Sequence, residues 1–120
     1  CMYMNNTYLW DYPQVVALVS PRPLIISNTD RDPIFPLDGV YRTFVSARRI
    51  YGLEKAADKI GFNVTTGGHV DTQELQTQAF RWFDQHLLGV DRKLSKPAEK
   101  FFEVEQLRVF DELPKDQINT

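Results

Sequence analysis

A chain of 120 residues with 42% hydrophobic and 25% charged residues has apolar material for one core and does not read as disordered. Its formal net charge of −2 comes from interspersed acids and bases, so no basic stripe marks a nucleic-acid or anionic-membrane surface. No run reaches the roughly 18 apolar residues needed to span a bilayer, and a single cysteine, Cys1, excludes an internal disulfide and any cysteine metal cluster.

Cys1 to Trp10 is aromatic-rich and irregular, with Tyr3, Tyr8 and Trp10 at no single period. It reads as a loop packed on a larger body, and the chain is expected to start within a longer protein. The sequons Asn5-Asn6-Thr7 and Asn63-Val64-Thr65 are short matches that carry no weight, the second falling in a predicted strand. Asp11 is placed to cap a short helix through Val19, with Pro13 tolerated in the first turn and Pro21 and Pro23 ending it.

Leu24-Ile25-Ile26 is a short continuous apolar run, which predicts a parallel strand near 23–27 buried on both faces. A loop is expected from Asn28 to Pro36. Val40, Phe44, Ala47 and Tyr51 then recur at helical spacing and predict a helix near 37–51, with Gly52 placed to close it. Glu54 to Lys59 reads equally as a last turn or a loop. Ile60 to Thr65 is a second strand, near 60–65, ending at Gly67-Gly68.

After His69, Asp71 or Thr72 can cap a helix near 72–88, whose stripe Leu75, Ala79, Phe83 and Leu87 is widened by Phe80 and Trp82. Gly89 follows where a left-handed cap residue belongs. Residues 1–89 thus form one α/β unit, 90–97 read as a linker, and 98–120 as an extension whose apolar spacing, from Phe101-Phe102 to Leu113, decides neither helix nor strand. The βαβα order implies parallel strands joined by a right-handed crossover. Two such strands leave faces and edges bare, so the unit is expected to belong to a wider sheet.

Functional groups in such sheets gather on loops at the carboxyl ends of strands, and both polar clusters lie there. In a hydrolytic scheme His69 takes a proton from a nucleophilic hydroxyl and returns it to the leaving alcohol. Asp32 accepts from the other ring nitrogen and fixes the tautomer, with Asp30 as its substitute. Gly67-Gly68 would let the backbone turn sharply so that His69 points back over the sheet.

Asp32-Pro33-Ile34-Phe35-Pro36 after the first strand, then Gly68-His69 and a helix ending Phe80-Arg81-Trp82-Phe83, resembles the C-terminal part of α/β-hydrolases. Pro21-Arg22-Pro23-Leu24-Ile25-Ile26 and Asp71-Thr72-Gln73-Glu74-Leu75 look, more narrowly, like the acetyl xylan esterase and dienelactone hydrolase-like branch. The likeness covers roughly Trp10 to Leu88. It implies a serine carboxyl-ester hydrolase with Asp32 as triad acid and His69 as triad base, a small-molecule or carbohydrate ester as substrate, no cofactor, and a secreted or periplasmic address for the intact protein. This sequence departs from that pattern in having no Gly-x-Ser-x-Gly elbow, which the family places before the acid. The chain by itself is therefore expected to be inactive.

Plainer readings attach to the other polar residues. Asp38 reads as a helix-cap acid, Arg31 as a surface charge, and His86 as a cation near a helix end or a packing residue. Trp82 and Phe83 read as core, and Trp10 and Tyr12 as packing. Ser20, Ser27 and Ser46 lie in no elbow, and nothing argues for Cys1 as a nucleophile. His69, Asp71 and Asp32 lack metal-ligand spacing. The reading from a different class is a non-catalytic module that self-associates to cover its bare strand edges.

Overall fold

The computed structural model describes residues 9–116 and 118; Cys1, the opening segment through Tyr8, the first sequon and Asn119-Thr120 lie outside the described residues. Helix α1, Tyr12–Ala17, starts at Asp11 because the Asp11 carboxylate accepts the Tyr12 N–H at 2.7 Å, while the Gln14 side chain accepts the Asp11 N–H at 3.0 Å. The helix stops short of the expected Val19. Leu18, Val19 and Ser20 each donate to a carbonyl three residues back, so the chain tightens into turns before Pro21.

Strand β1, Leu24–Thr29, pairs in parallel with β2, Ile60–Thr65, in register from Leu24 opposite Ile60 to Thr29 opposite Thr65. The first strand is longer than predicted. Asn28 and Thr29 belong to it rather than to the loop, since the pairing continues to Thr65 and the next N–H, of Asp30, still reaches the Thr65 carbonyl at 2.9 Å. Nor is the apolar run buried on both faces. With one strand partner among the described residues, Leu24 to Ser27 stay half-buried and the buried end of β1 is the polar Asn28-Thr29.

The core lies between the strands and helix α2, Leu37–Leu53. Ala47 and Tyr51 are completely buried there with Ala56 and Ile60, and Val16, Leu24 and Phe44 pack around them. Of these, Phe44, Ala47 and Tyr51 are the α2 positions that the 3.6-residue period places on one face. The Tyr51 hydroxyl donates to the Arg22 carbonyl at 2.7 Å, tying the helix to the segment before β1. Burial pushes its pKa up, and the Arg22 charge offsets only part of that. Gly52 does not close α2, which runs on to Leu53. The left-handed residue is Lys55, at φ +56°, after which the Ala56 N–H returns to the Tyr51 carbonyl at 2.8 Å. Ala57–Lys59 form a single 3₁₀ turn into β2, resolving the ambiguous stretch.

Helix α3, Gln73–Phe83, is capped by Thr72 rather than Asp71, its hydroxyl accepting the Leu75 N–H at 3.1 Å. It widens into a π-helical turn, Asp84–Leu88, and ends at Gly89 with φ +69°. The expected apolar stripe is only partly buried. The narrow face offered by two strands is taken by Leu75 and by Trp82, whose ring lies on Gly61, whereas Phe83 is 49% and Leu87 76% exposed. Sequence periodicity missed the polar clamp behind them. Arg92 grips the buried Asp84 with two bonds of 2.9 Å, and Arg81 grips Asp91 at 2.6 and 2.8 Å, so the start of the 90–97 stretch folds back onto α3. Beyond it the one regular feature among the described residues is a 3₁₀ turn, Val104–Leu107. No helix is long and apolar enough to cross a membrane.

Candidate active site

Because β1 and β2 are parallel and in register, both end at one edge and their loops leave side by side. The two loops are laced together at once. Arg31 N–H donates to the Gly67 carbonyl at 3.0 Å, and the Thr29 hydroxyl donates to the Gly68 carbonyl at 2.5 Å.

Asp32 works in two directions. Its Oδ1 accepts the N–H groups of Ile34 and Phe35 at 2.8 and 3.0 Å, an Asx turn that shapes its own loop. Its Oδ2 lies 2.8 Å from Nδ1 of His69. One oxygen of the carboxylate thus shapes its own loop while the other meets the imidazole. The Asp32 side chain is only 7% exposed, whereas that of His69 is 54% exposed. Burial pushes the Asp32 carboxyl up, but the His69 hydrogen bond and the Phe35 and Ile34 amides outweigh it and hold the group below its ordinary value.

An ionised carboxylate can only accept, so the shared hydrogen belongs to Nδ1 and the lone pair of a neutral ring is left on Nε2. Nε2 has no hydrogen-bond partner among the described residues. The Phe35 ring lies 5.8 Å from the imidazole, tilted by 31°. Phe35 is held in turn by Asn28, whose buried amide donates to the Phe35 carbonyl at 3.1 Å and to the Thr29 carbonyl at 3.0 Å. A cavity of about 300 Å³ opens beside the ring, lined by Ser27, Asn28, Asp32, Phe35, His69 and Leu75 among others.

The chain bends at Gly68, but neither Gly67 nor Gly68 needs a glycine-only conformation to do so. Neither adopts a positive φ, and a Cβ on Gly67 would meet only ordinary 3.5 Å contacts, one on Gly68 nothing. The loop is shaped instead by the Val70 N–H reaching the Gly68 carbonyl at 2.9 Å and by bonds from the neighbouring loop.

The remaining polar residues sort by position. Asp30 faces the Gly67 N–H at 3.0 Å and not the imidazole. Asp38 stands in the first turn of α2 paired with Arg42 at 3.0 Å and makes no cap bond; the cap position is Pro36. Exposed Arg31 lies 3.5 Å from Asp30. His86 stacks on Trp82 with ring centroids 4.2 Å apart. Asn63 of the second sequon sits inside β2, its amide 3.5 Å from the Leu75 carbonyl. Among the described residues no three His, Cys, Asp or Glu side chains are grouped to hold a metal. Asn28, Thr29 and Phe35 escaped sequence reasoning; the signal was a Ser-Asn-Thr run at the end of an apolar strand, which marks polar groups collected at a sheet edge.

An imidazole with one nitrogen fixed by a buried carboxylate and the other unpartnered is an acid-base arrangement. Two hydroxyls line the cavity, those of Ser27 and Thr29, and the Thr29 hydroxyl is engaged with the Gly68 carbonyl. Ser27 Oγ lines the same cavity, buried and without a hydrogen-bond partner, but it sits within the extended β1 ladder opposite Asn63.

No family model matches the chain, and no curated protein matches it. Among solved structures it is similar to a carbohydrate esterase family 15 (CE15) glucuronoyl esterase from Caldicellulosiruptor kristjansonii. The two are 27% identical with a TM-score of 0.63, over 77% of this chain and 24% of that one. The chain thus spans about a quarter of that protein's length. Its α/β arrangement corresponds to part of an esterase fold.

Proposed function

We propose that this chain is the acid-base part of a serine carboxyl-ester hydrolase of the α/β-hydrolase type that acts on carbohydrate esters. Asp32 is the triad acid and His69 the general base. The observation that carries the reading is the 2.8 Å contact between Asp32 Oδ2 and His69 Nδ1 beside a cavity, with Nε2 unpartnered among the described residues. The likeness to a glucuronoyl esterase over 77% of the chain supports the reaction class, and the 24% coverage of that protein supports a fragment.

In the reaction, Nε2 takes the proton of a serine hydroxyl as its oxygen bonds to the ester carbonyl carbon, and then delivers that proton to the departing alcohol oxygen. Water repeats the sequence on the acyl-enzyme and regenerates the serine. Asp32 stays ionised throughout and stabilises the imidazolium. No Gly-x-Ser-x-Gly is present here, so the nucleophile belongs to another part of the intact protein, and this chain alone should not hydrolyse esters.

The test is His69→Ala in the intact protein, assayed on a glucuronoyl ester and on acetylated xylan. A drop in kcat of about three to six orders of magnitude is expected on whichever ester the wild type cleaves. Turnover near the wild-type rate would overturn the assignment.

A second reading rests on the apolar side chains left open, Phe83 and Leu87 among them, and on the lack of a third strand among the described residues. In it the chain is a non-catalytic module that pairs with its own copies. Sedimentation would then show a dimer or larger species, and a folded monomer would refute it.

A further inference from the structure

The loop that carries His69 is held by a carboxylate that never touches the ring. Asp30 Oδ1 accepts the Gly67 N–H at 3.0 Å, two residues before the histidine, and its Oδ2 lies 3.5 Å from the Thr66 hydroxyl. The same strand end contributes three further ties: Asp30 N–H to the Thr65 carbonyl, Arg31 N–H to the Gly67 carbonyl, and the Thr29 hydroxyl to the Gly68 carbonyl. On the histidine side, every backbone polar group that these ties engage lies between Thr65 and Gly68. Asp32 then meets His69 itself.

We infer that the two aspartates of the Asp30-Arg31-Asp32 run divide one task, with Asp32 orienting the imidazole and Asp30 acting as a positioning residue that fixes the loop from which the imidazole projects. The inference rests on the reading of Asp32 and His69 as an acid-base pair. Neither Gly67 nor Gly68 has a positive φ, so no left-handed glycine fixes this loop. The Gly67 amide also holds the Asp30 carboxyl below its ordinary value, against a smaller opposing effect of burial, as expected of a carboxylate bound in its charged form. Both aspartates lie just beyond the end of β1 beside the neighbouring loop, Asp30 reaching its backbone and Asp32 its side chain.

The test is nitrogen-15 NMR of the His69 ring in the full 120-residue chain, wild type against Asp30→Ala, with amide exchange at Ala47 and Tyr51 reporting whether the core is intact. Recorded where the ring is neutral, wild type should carry its hydrogen on Nδ1 and not on Nε2, with a slowly exchanging Nδ1–H. In D30A the core amides should be unchanged while the Nδ1–H exchanges about tenfold faster or more, as expected on releasing a hydrogen-bonded anchor. A wild-type His69 signature in folded D30A overturns the inference. Should D30A fail to fold, Asp30→Asn decides, because its amide oxygen still accepts the Gly67 N–H. Retention of the signature there supports a hydrogen-bonded anchor, and its loss in folded D30N overturns it. Absence of the Nδ1–H signature from the wild type would sink the acid-base pair itself, and with it this inference; its presence in wild type together with an unaffected D30A sinks the inference alone.

Discussion

Gly61→Ala is the substitution whose consequence can be worked furthest from the geometry. A Cβ at position 61 would lie 2.9 Å from Cζ3 of Trp82, 3.2 Å from Cη2 and 3.4 Å from Cε3, where ordinary contacts begin at 3.4 Å. Two of the three contacts are too short. The indole cannot simply swing away, because its other neighbour is the His86 ring at 4.2 Å. Overpacking of this kind costs about 1–3 kcal/mol, while replacing a strand glycine returns roughly 0.5–1 kcal/mol of chain entropy. The net is a destabilisation of about 1 kcal/mol, or about a 1 M fall in urea midpoint at an m-value of about 1 kcal/mol/M. The relief route is for α3 to lift from β2. That would displace Leu75, which lines the cavity beside His69, and the Thr72 cap that joins the helix to the histidine loop. Urea denaturation followed by tryptophan fluorescence reads the first effect. In a Trp82→Leu background the same substitution should cost distinctly less, since the clashing ring is gone. An unchanged midpoint for Gly61→Ala, or an equal loss in the Trp82→Leu background, would refute the close packing of α3 on β2.

Two further outcomes follow from other contacts. The Asp32 carboxyl is depressed below its ordinary value of 3.8, so the native state binds its charged form preferentially; the resulting stabilisation is complete above that value and is lost as pH falls through the lower, folded value. Carboxyl carbon-13 titration should place the Asp32 midpoint below 3.8, and His69→Ala should raise it; a wild-type midpoint at or above 3.8 would contradict the geometry. Tyr51→Phe leaves the Arg22 carbonyl without its 2.7 Å donor and should lower stability by about 1 kcal/mol, a Tm loss of about 4–8 °C. An unchanged Tm would show that the hydroxyl is not needed to join α2 to β1.

The order of elements was legible because each is written in local terms. Period 3.6 at Val40, Phe44, Ala47 and Tyr51 marks α2, the Ile60–Thr65 run marks β2 at its observed bounds, and Gly89 marks the close of the last helical segment with the positive φ expected of it. The boundaries that were misjudged are those set by bonds to distant residues. Asn28 and Thr29 read as loop because they are polar, yet pairing with β2 extends the strand through them. The end of α2 is a local exception: Lys55, not Gly52, takes the left-handed turn, and the Ala56 N–H closes it on the Tyr51 carbonyl.

Sequence alone determined that an acid and a histidine follow two successive apolar strands, because strand ends and loop polarity are properties of short segments. Which acid meets the histidine was a choice among Asp30, Asp32 and Asp38 that spacing could rank but not decide. Tertiary structure decided it: the in-register parallel pairing of β1 and β2 brings residues 37 positions apart within 2.8 Å, gives Asp32 the imidazole, and leaves Asp30 the loop backbone. The same holds for the buried Asp84 and its Arg92, whose partnership depends on the chain reversing at Gly89 and has no period to announce it. Register and chain reversal are three-dimensional facts, and the chemistry of this edge of the sheet follows from them.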